Sequence, residues 1–252
     1  EGLKKIEEAK RIFIKRLSIT KEEIEDIRHY CVEQSDITNE DIITPEYYRP
    51  LYIKMIEEIK NKHKWEMLGN LVEFKKGDEV GSINYKLYID KEKTDVPFIR
   101  TTDIFNYEID RFPDFYVGEE ILDKINQQVK AKELIFSKDG KIGQVAMITE
   151  SDKCIIGSGL IRMSIDRSKI NPYYLFIALS IPEIGIYQAK KNTVIASTLP
   201  HLRQDRISDF VIPILNDQEE ITSLAREGFD LKERSKKLID KTRELLDLSF
   251  EI

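Results

Sequence analysis

Two lysines flank a glycine turn in Lys138-Asp139-Gly140-Lys141, and Gly143 follows closely. Glycines there allow tight turns and close backbone approach, so both lysines are expected on a protruding loop. A flexible point charge of this kind suits a phosphate better than a base edge. The competing expectation is an ordinary solvated hairpin turn. A second stretch of the same chemistry runs Lys190, Lys191 and Asn192, then Ser197 and Thr198, ahead of Arg203 and Gln204. The guanidinium fork of Arg203 and the amide of Gln204 have the donor geometry for guanine and adenine edges. A salt bridge from Arg203 to Asp205 or Asp209, beside a surface amide, is the alternative. Arg100 and Thr101, after strand-like Val96 to Ile99, and Lys75 and Lys76, beside Gly77, complete the set of candidate anion contacts.

Catalytic patterns fail on inspection. Asn171-Pro172-Tyr173-Tyr174 has only one proline where an amine-gripping methyltransferase tetrapeptide has two, and that proline opens a helix. No glycine-rich strand-to-helix loop for a nucleotide cofactor accompanies it. Pro113-Asp114 with Glu119 and Glu120 lacks the downstream acidic-x-Lys pattern of a metal nuclease, and carboxylate pairs are expected among 46 acidic residues. Cys31 and Cys154 lie in segments of different character and share no ligand spacing with His29, His63 or His201. They are expected as reduced, buried or half-buried thiols, with no zinc site, no disulfide framework and no cofactor in this chain.

Elements that would position the candidate residues follow from periodicity. Leu3 to about Ser18 predicts an amphipathic helix with Leu3, Ile6, Phe13 and Leu17 on one stripe, interrupted by Lys10. Thr20 and Glu23 form a capping-box signal for a second helix that carries Ile24, Ile27 and Cys31 inward. Leu51 to about Lys60 is helical again. From Trp65 onward short β-favouring runs dominate, among them Asn84 to Ile89 and Pro97 to Arg100. Asp114 to Gln128 holds a helix candidate. Glu133 to Ser137, Gly143 to Thr149 and Ile155 to Ile165 predict three strands joined by hairpin turns at 138–141 and 150–153. Helices at Tyr173 to about Ser180 and Gly185 to Lys190 come next.

The C-terminal segment carries the clearest period. Leu224, Leu231, Leu238 and Leu245 recur every seven residues, preceded three positions earlier by Ile221, Gly228, Ser235 and Thr242. One seam is always leucine and the other mostly small, which predicts a long helix seated closely on another. At about 1.5 Å per residue it outruns one side of a small domain, so a second helix is expected to bury the excess leucines. The N-terminal helix competes for that role but could cover only half the stripe. The expected architecture is α+β: a helical segment at 1–60, a mixed domain of strands and helices at 61–216, and a coiled-coil helix at 217–252.

Composition narrows the partners. A net charge of -6 over 252 residues argues against nucleic-acid binding by the whole surface, yet Val129 to Leu215 holds twelve Lys or Arg against eight Asp or Glu. No run approaches a membrane span, and Glu1-Gly2-Leu3-Lys4-Lys5 does not open an apolar signal segment, so a cytoplasmic location is expected.

The run Glu133 to Ala146 resembles the strand and turn of the target-recognition domains in specificity subunits of type I restriction-modification enzymes, with Gly140 and Gly143 at its two turn glycines. Ile155 to Met163, Ile170 to Phe176, Thr193 to Leu202 and Phe210 to Leu215 fall in that family's order. Asp217-Gln218-Glu219-Glu220-Ile221 resembles its junction between globular domain and long helix. The resemblance covers about residues 63 to 250. It implies a non-catalytic, sequence-specific reader of double-stranded DNA that directs an adenine methyltransferase, with S-adenosylmethionine bound by that partner and a restriction subunit as a further partner. It also places the 190–204 stretch near the DNA face. Family members carry two recognition domains and two long helices, whereas this sequence has one of each plus a shorter N-terminal helix. A homodimeric half-subunit, a fragment and the recognition tail of a fused methyltransferase all satisfy that count. A structural adaptor that assembles a complex through its helices is the alternative from another class.

Overall fold

The first helix, α1 (Gly2–Leu17), buries Ile6, Ala9, Phe13 and Leu17 along the expected stripe, while Leu3 stays partly exposed. Lys10 is accommodated inside the interruption it makes: its Nζ donates to the Tyr107 hydroxyl at 2.7 Å and to Glu7 at 3.2 Å. The structure is a computed structural model that describes residues 1–19, 29–38, 42–77, 96–119, 129–196 and 199–250. The second predicted helix therefore falls largely outside the described residues, as do Asn84 to Ile89, Ser197 and Thr198. Cys31 is exposed instead of turned inward. Cys154 is buried, and burial pushes its thiol well above the ordinary range.

After a short helix α2 (Gln34–Thr38), a 3-10 turn at Pro45–Tyr48 leads into α3 (Pro50–Lys62), whose Leu51, Tyr52, Met55 and Ile59 face the core. Strand β1 (Lys64–Met67), helix α4 (Leu68–Leu71) and strand β2 (Val72–Lys76) follow. Then come β3 (Val96–Ile99), the two-residue pair β4 (Ile104–Phe105) and β5 (Glu108–Ile109), and β6 (Tyr116–Val117). Residues 116–117 form a strand inside the stretch that held the helix candidate, Glu119 is helical, and 120–128 lie outside the described residues. Strands β7 (Leu134–Ser137) and β8 (Val145–Met147) pair antiparallel, as the 138–141 turn requires.

The single strand predicted over Ile155 to Ile165 is broken into β9 (Ile155–Ile156) and β10 (Leu160–Ile165). β9 lies parallel to β3, and β10 enters the antiparallel sheet β2-β10-β7-β8. The 150–153 connection is consequently no hairpin turn, because β8 and β9 do not pair. The turn at Gly157–Gly159 separates the two strands, which serve different sheets.

Helix α5 (Pro172–Ser180) is buried on nearly every side, from Tyr173 through Leu179, as expected of a helix whose sequence is apolar all round. The Asn171 side chain accepts from the Tyr173 amide at 2.9 Å, so this residue caps the helix. A π-turn at Pro182–Ile186 runs into α6 (Tyr187–Lys191), then the hairpin β11 (Thr193–Ala196) and β12 (Leu199–Leu202). Helix α7 (Gln204–Ser208) and β13 (Val211–Ile214), paired with β1, close the mixed part.

The last helix, α8 (Glu219–Phe250), runs antiparallel to α1. Arg16 reaches Asp217 and Glu220 at one end, and Lys5 pairs with Glu227 nearer the other. Its small seam makes this contact: a Cβ on Gly228 would stand 2.8 Å from the Gly2 carbonyl oxygen and from Ile6. Ile221, Ala225 and Phe229 are buried, and the Ile221 and Phe229 side chains each contribute about 1.5 to 3 kcal/mol. The leucine seam behaves differently. Leu224 and Leu231 are half-buried, while Leu238 and Leu245 are 66% and 59% exposed. Of the five residues expected in helix pairing, only Ile221 is enclosed, because the partner supplied within the chain is the sixteen-residue α1 and it docks on the neighbouring face.

One contiguous apolar cluster includes Phe13, Met55, Phe136, Phe176, Ile212 and Phe229, and so draws on α1, α3, the main sheet, α5, β13 and α8 together. A smaller one beneath β3, β8 and β9 holds Ile99, Ile135, Ala146 and Cys154.

Candidate nucleic-acid interface

Sheet register decides which candidates meet. Lys76 stands opposite Ile161 and Ser137 opposite Leu160, so β2 and β7 both leave the sheet at the end where β10 begins. The Gly157 amide donates to the Ile99 carbonyl at 2.8 Å, which brings the 3-10 turn Thr101–Asp103 to that end. The Leu202 amide donates to the Lys138 carbonyl at 2.8 Å, and the Gly140 amide to the Pro200 carbonyl at 3.2 Å. Five sequence segments, 75–77, 100–103, 138–143, 157–159 and 199–203, therefore share one end of the mixed domain.

Within this cluster the cations divide sharply. Lys75, Lys76 and Lys141 are exposed, as is Lys190, which borders the same end beside Gly140 and Pro200. Lys138 is not on a protruding loop: it is 7% exposed, and its Nζ lies 2.9 Å from Asp139. Asp139 also meets His201 Nδ1 at 2.5 Å, so the turn is pinned to β12 and its first lysine is sealed beneath it. Gly140 and Gly143 take φ of 65° and 89°, which favours glycine and lets the backbone fold back at both points.

Arg100 has its fork committed. Nε and Nη2 each lie 3.0 Å from an Asp103 oxygen, Nη2 also reaches Asp114 at 3.1 Å, and the guanidinium stacks 4.2 Å from the Phe115 ring centroid. The hydrogen bond to Asp103 raises its pKa. These bonds clamp the turn that presents Thr101. Thr101 packs beside the turn glycines, with Oγ1 3.6 Å from a Cβ built on Gly140.

Arg203 realises the salt-bridge alternative, with Nε 3.1 Å and Nη2 2.5 Å from Asp205, yet it remains exposed and Gln204 half-buried beside it. Asn192 closes α6 by donating to the Gln188 carbonyl at 2.9 Å. Lys191 sits 3.4 Å above the Tyr47 ring, where Arg206 also approaches, at 6.0 Å.

Tyr47 marks a contribution that the sequence did not reveal. Thr44, Pro45, Glu46, Arg49 and Tyr52, from the segment expected to be separate and N-terminal, line a cleft of about 440 Å³ with Gly140, Ile142, Lys190, Thr193, Ile195 and Pro200. The aromatic pair Tyr47-Tyr48 between two prolines was its only visible sign. Among the described residues no cluster of three His, Cys, Asp or Glu could hold a metal ion, and no helix is long and apolar enough to cross a membrane.

The family model described as the type I restriction modification DNA specificity domain matches residues 62–225. No curated protein matches the chain. Among solved structures, the S subunit of a type I restriction-modification system from M. genitalium aligns with a TM-score of 0.49 and 15% identity over 74% of this chain and 45% of that one. The HsdS subunit from Thermoanaerobacter tengcongensis gives 0.43 and 14% over 75% and 45%. The type IIG restriction endonuclease BpuSI gives 0.46 and 11% over 78% and 30%. The chain spans less than half the length of each.

Proposed function

This chain belongs to the type I restriction modification DNA specificity domain family, and on that premise we propose that it is a non-catalytic subunit that reads one half of a DNA target and directs a partner adenine methyltransferase to it. The family match over 62–225 carries the reading. The turns gathered at one end of the mixed domain support it, since Lys75, Lys76, Lys141 and Lys190 stand exposed there in a protein whose net charge is -6. In this reading S-adenosylmethionine belongs to the partner, and a restriction subunit joins the same complex.

Long-helix pairing completes the proposal. Leu238 and Leu245 continue the heptad beyond the reach of α1, and a second copy of α8, laid antiparallel, would cover them and set two recognition domains at opposite ends. Such a dimer reads an inverted repeat. The methylome of the host with and without the gene tests the function, because a lost methylation motif supplies the target and an unchanged methylome rejects the reading. Light scattering over a concentration series tests the pairing separately: a persistent 29.5 kDa monomer rejects the dimer and leaves recognition untouched.

A further inference from the structure

Hairpin β11–β12 carries two large apolar side chains into solvent, Ile195 at 69% and Leu199 at 63% exposure. Its base is well anchored: Thr193 Oγ1 donates to the Ala189 carbonyl at 2.7 Å, and Leu202 is buried with its amide on Lys138. The exposure is therefore confined to the outer half of a ribbon whose inner half is fixed. Cross-strand pairing puts Ile195 opposite Pro200 on the face that lines the cleft, and Leu199 opposite Ala196 on the other face.

The charge beside this apolar end is one-sided. Its carboxylates are answered locally: Asp139 by Lys138 and His201, Asp205 by Arg203, and Glu46 by Arg49 at 3.4 Å. Lys141 and Lys190 are exposed, and no described residue pairs with either. Two exposed apolar side chains beside surplus cations suit a ligand with apolar groups at the bottom of a groove and phosphates along its rims. Two strands about 4.8 Å apart, with their side chains, fit a B-DNA major groove roughly 12 Å wide and about 8.5 Å deep.

The geometry points to hairpin β11–β12 as the element that enters the major groove, with Ile195 and Leu199 reading thymine C5-methyl groups while Lys141 and Lys190 hold the flanking phosphates. The inference rests on the recognition reading above and adds which element reads, in which groove and by which chemistry. Apolar contact is the means by which a protein distinguishes the thymine methyl, a group displayed only in the major groove.

The test uses the full chain purified from its host with its bound subunits. A duplex is selected from a randomised pool, then remade with deoxyuridine for thymine, a change that deletes only the C5 methyls. Uracil at the read positions is expected to weaken binding on the order of tenfold, the scale of one mismatched pair. The double variant I195S/L199S is expected to bind both duplexes equally, at the weaker level. Both side chains are exposed, so its thermal unfolding midpoint should match the parent. Should the variant misfold, the uracil effect on the unaltered protein still decides the matter. A selected duplex indifferent to uracil, or a variant that keeps the parent's preference, overturns the hairpin assignment while leaving recognition intact, and that outcome includes a role for Ile195 and Leu199 in binding protein. Failure to select any sequence removes the recognition reading and this inference with it.

Discussion

Lys236 holds the long helix at a set angle to the mixed domain, and replacing it with methionine measures that restraint. Its side chain is 11% exposed and its Nζ lies 3.0 Å from Glu108, 3.1 Å from Asp152 and 3.1 Å from the Thr149 hydroxyl. Methionine keeps most of the aliphatic stem and deletes the charge, leaving a fully buried carboxylate at Asp152 and an 85% buried one at Glu108 without this partner. Removing one member of a buried ion pair costs about 3 to 5 kcal/mol. The lower end applies here, because Asp152 keeps two donors from Thr149 at 2.8 Å and Glu108 keeps Lys232. A loss of about 3 kcal/mol lowers the unfolding midpoint of a protein this size by roughly 6 to 12 °C. Calorimetry and urea unfolding followed by circular dichroism give both numbers. The neighbouring Lys237→Met is the control: that lysine is 61% exposed and pairs with Glu233 at 3.5 Å, so its loss should stay within about 0.5 kcal/mol. A Lys236→Met protein within about 1 kcal/mol of the parent would refute the buried network as the restraint.

Gly228→Val should force α1 away from α8, because even its Cβ would meet the Gly2 carbonyl at 2.8 Å; a loss of about 1 to 3 kcal/mol in urea unfolding is expected, and an unchanged midpoint would deny the close helix approach. Lys141→Ala should reduce the salt slope of DNA binding by about one without loss of stability, whereas Lys138→Met should destabilise the turn and leave the slope unchanged; a reversed pattern would return Lys138 to the interface. Arg203→Ala should narrow the gap between target and non-target DNA by about 1 to 3 kcal/mol if it makes a bidentate base contact, and a uniform loss in filter binding would place it on the backbone. The Glu233 carboxyl sits below its ordinary 4.5, its desolvation outweighed by the hydrogen bond from Ser151 and by Lys236 and Lys237. Its contribution is therefore full above that value and lost as pH falls through the depressed one, so the stability difference between the parent and Ser151→Ala should fade in acid; a difference independent of pH would show that the serine acts otherwise.

Local periodicity accounts for much of what proved legible. The α1 stripe, α3, the apolar α5 behind its Asn171 cap, the β7–β8 hairpin and the long α8 follow from side-chain spacing, since helix and strand repeats are properties of neighbouring residues. The apolar run Ile155 to Ile165 carries no mark of which sheet each half will join, so the break at Gly157–Gly159 is settled by β3 on one side and β7 on the other. The small seam at Ile221 and Gly228 is visible in the sequence and the N-terminal helix is one candidate partner, but the choice is made in three dimensions: α1 fits there through a second glycine more than two hundred residues away.

The candidate interface divides along the same line. Residue types identify cations able to hold phosphate, and sequence alone determined that carboxylates thin out between 129 and 215, leaving twelve Lys or Arg against eight Asp or Glu, and that the family is one of DNA specificity domains. Only the tertiary structure decided which of those charges are spent. Asp103 and Asp114 occupy the Arg100 fork, and Asp139 with β12 encloses Lys138, while Lys141 and Lys190 remain at the surface beside Ile195 and Leu199. A cation's availability depends on where carboxylates from other segments fall and on whether water still reaches it, and both are set by chain crossings that spacing along the sequence does not encode.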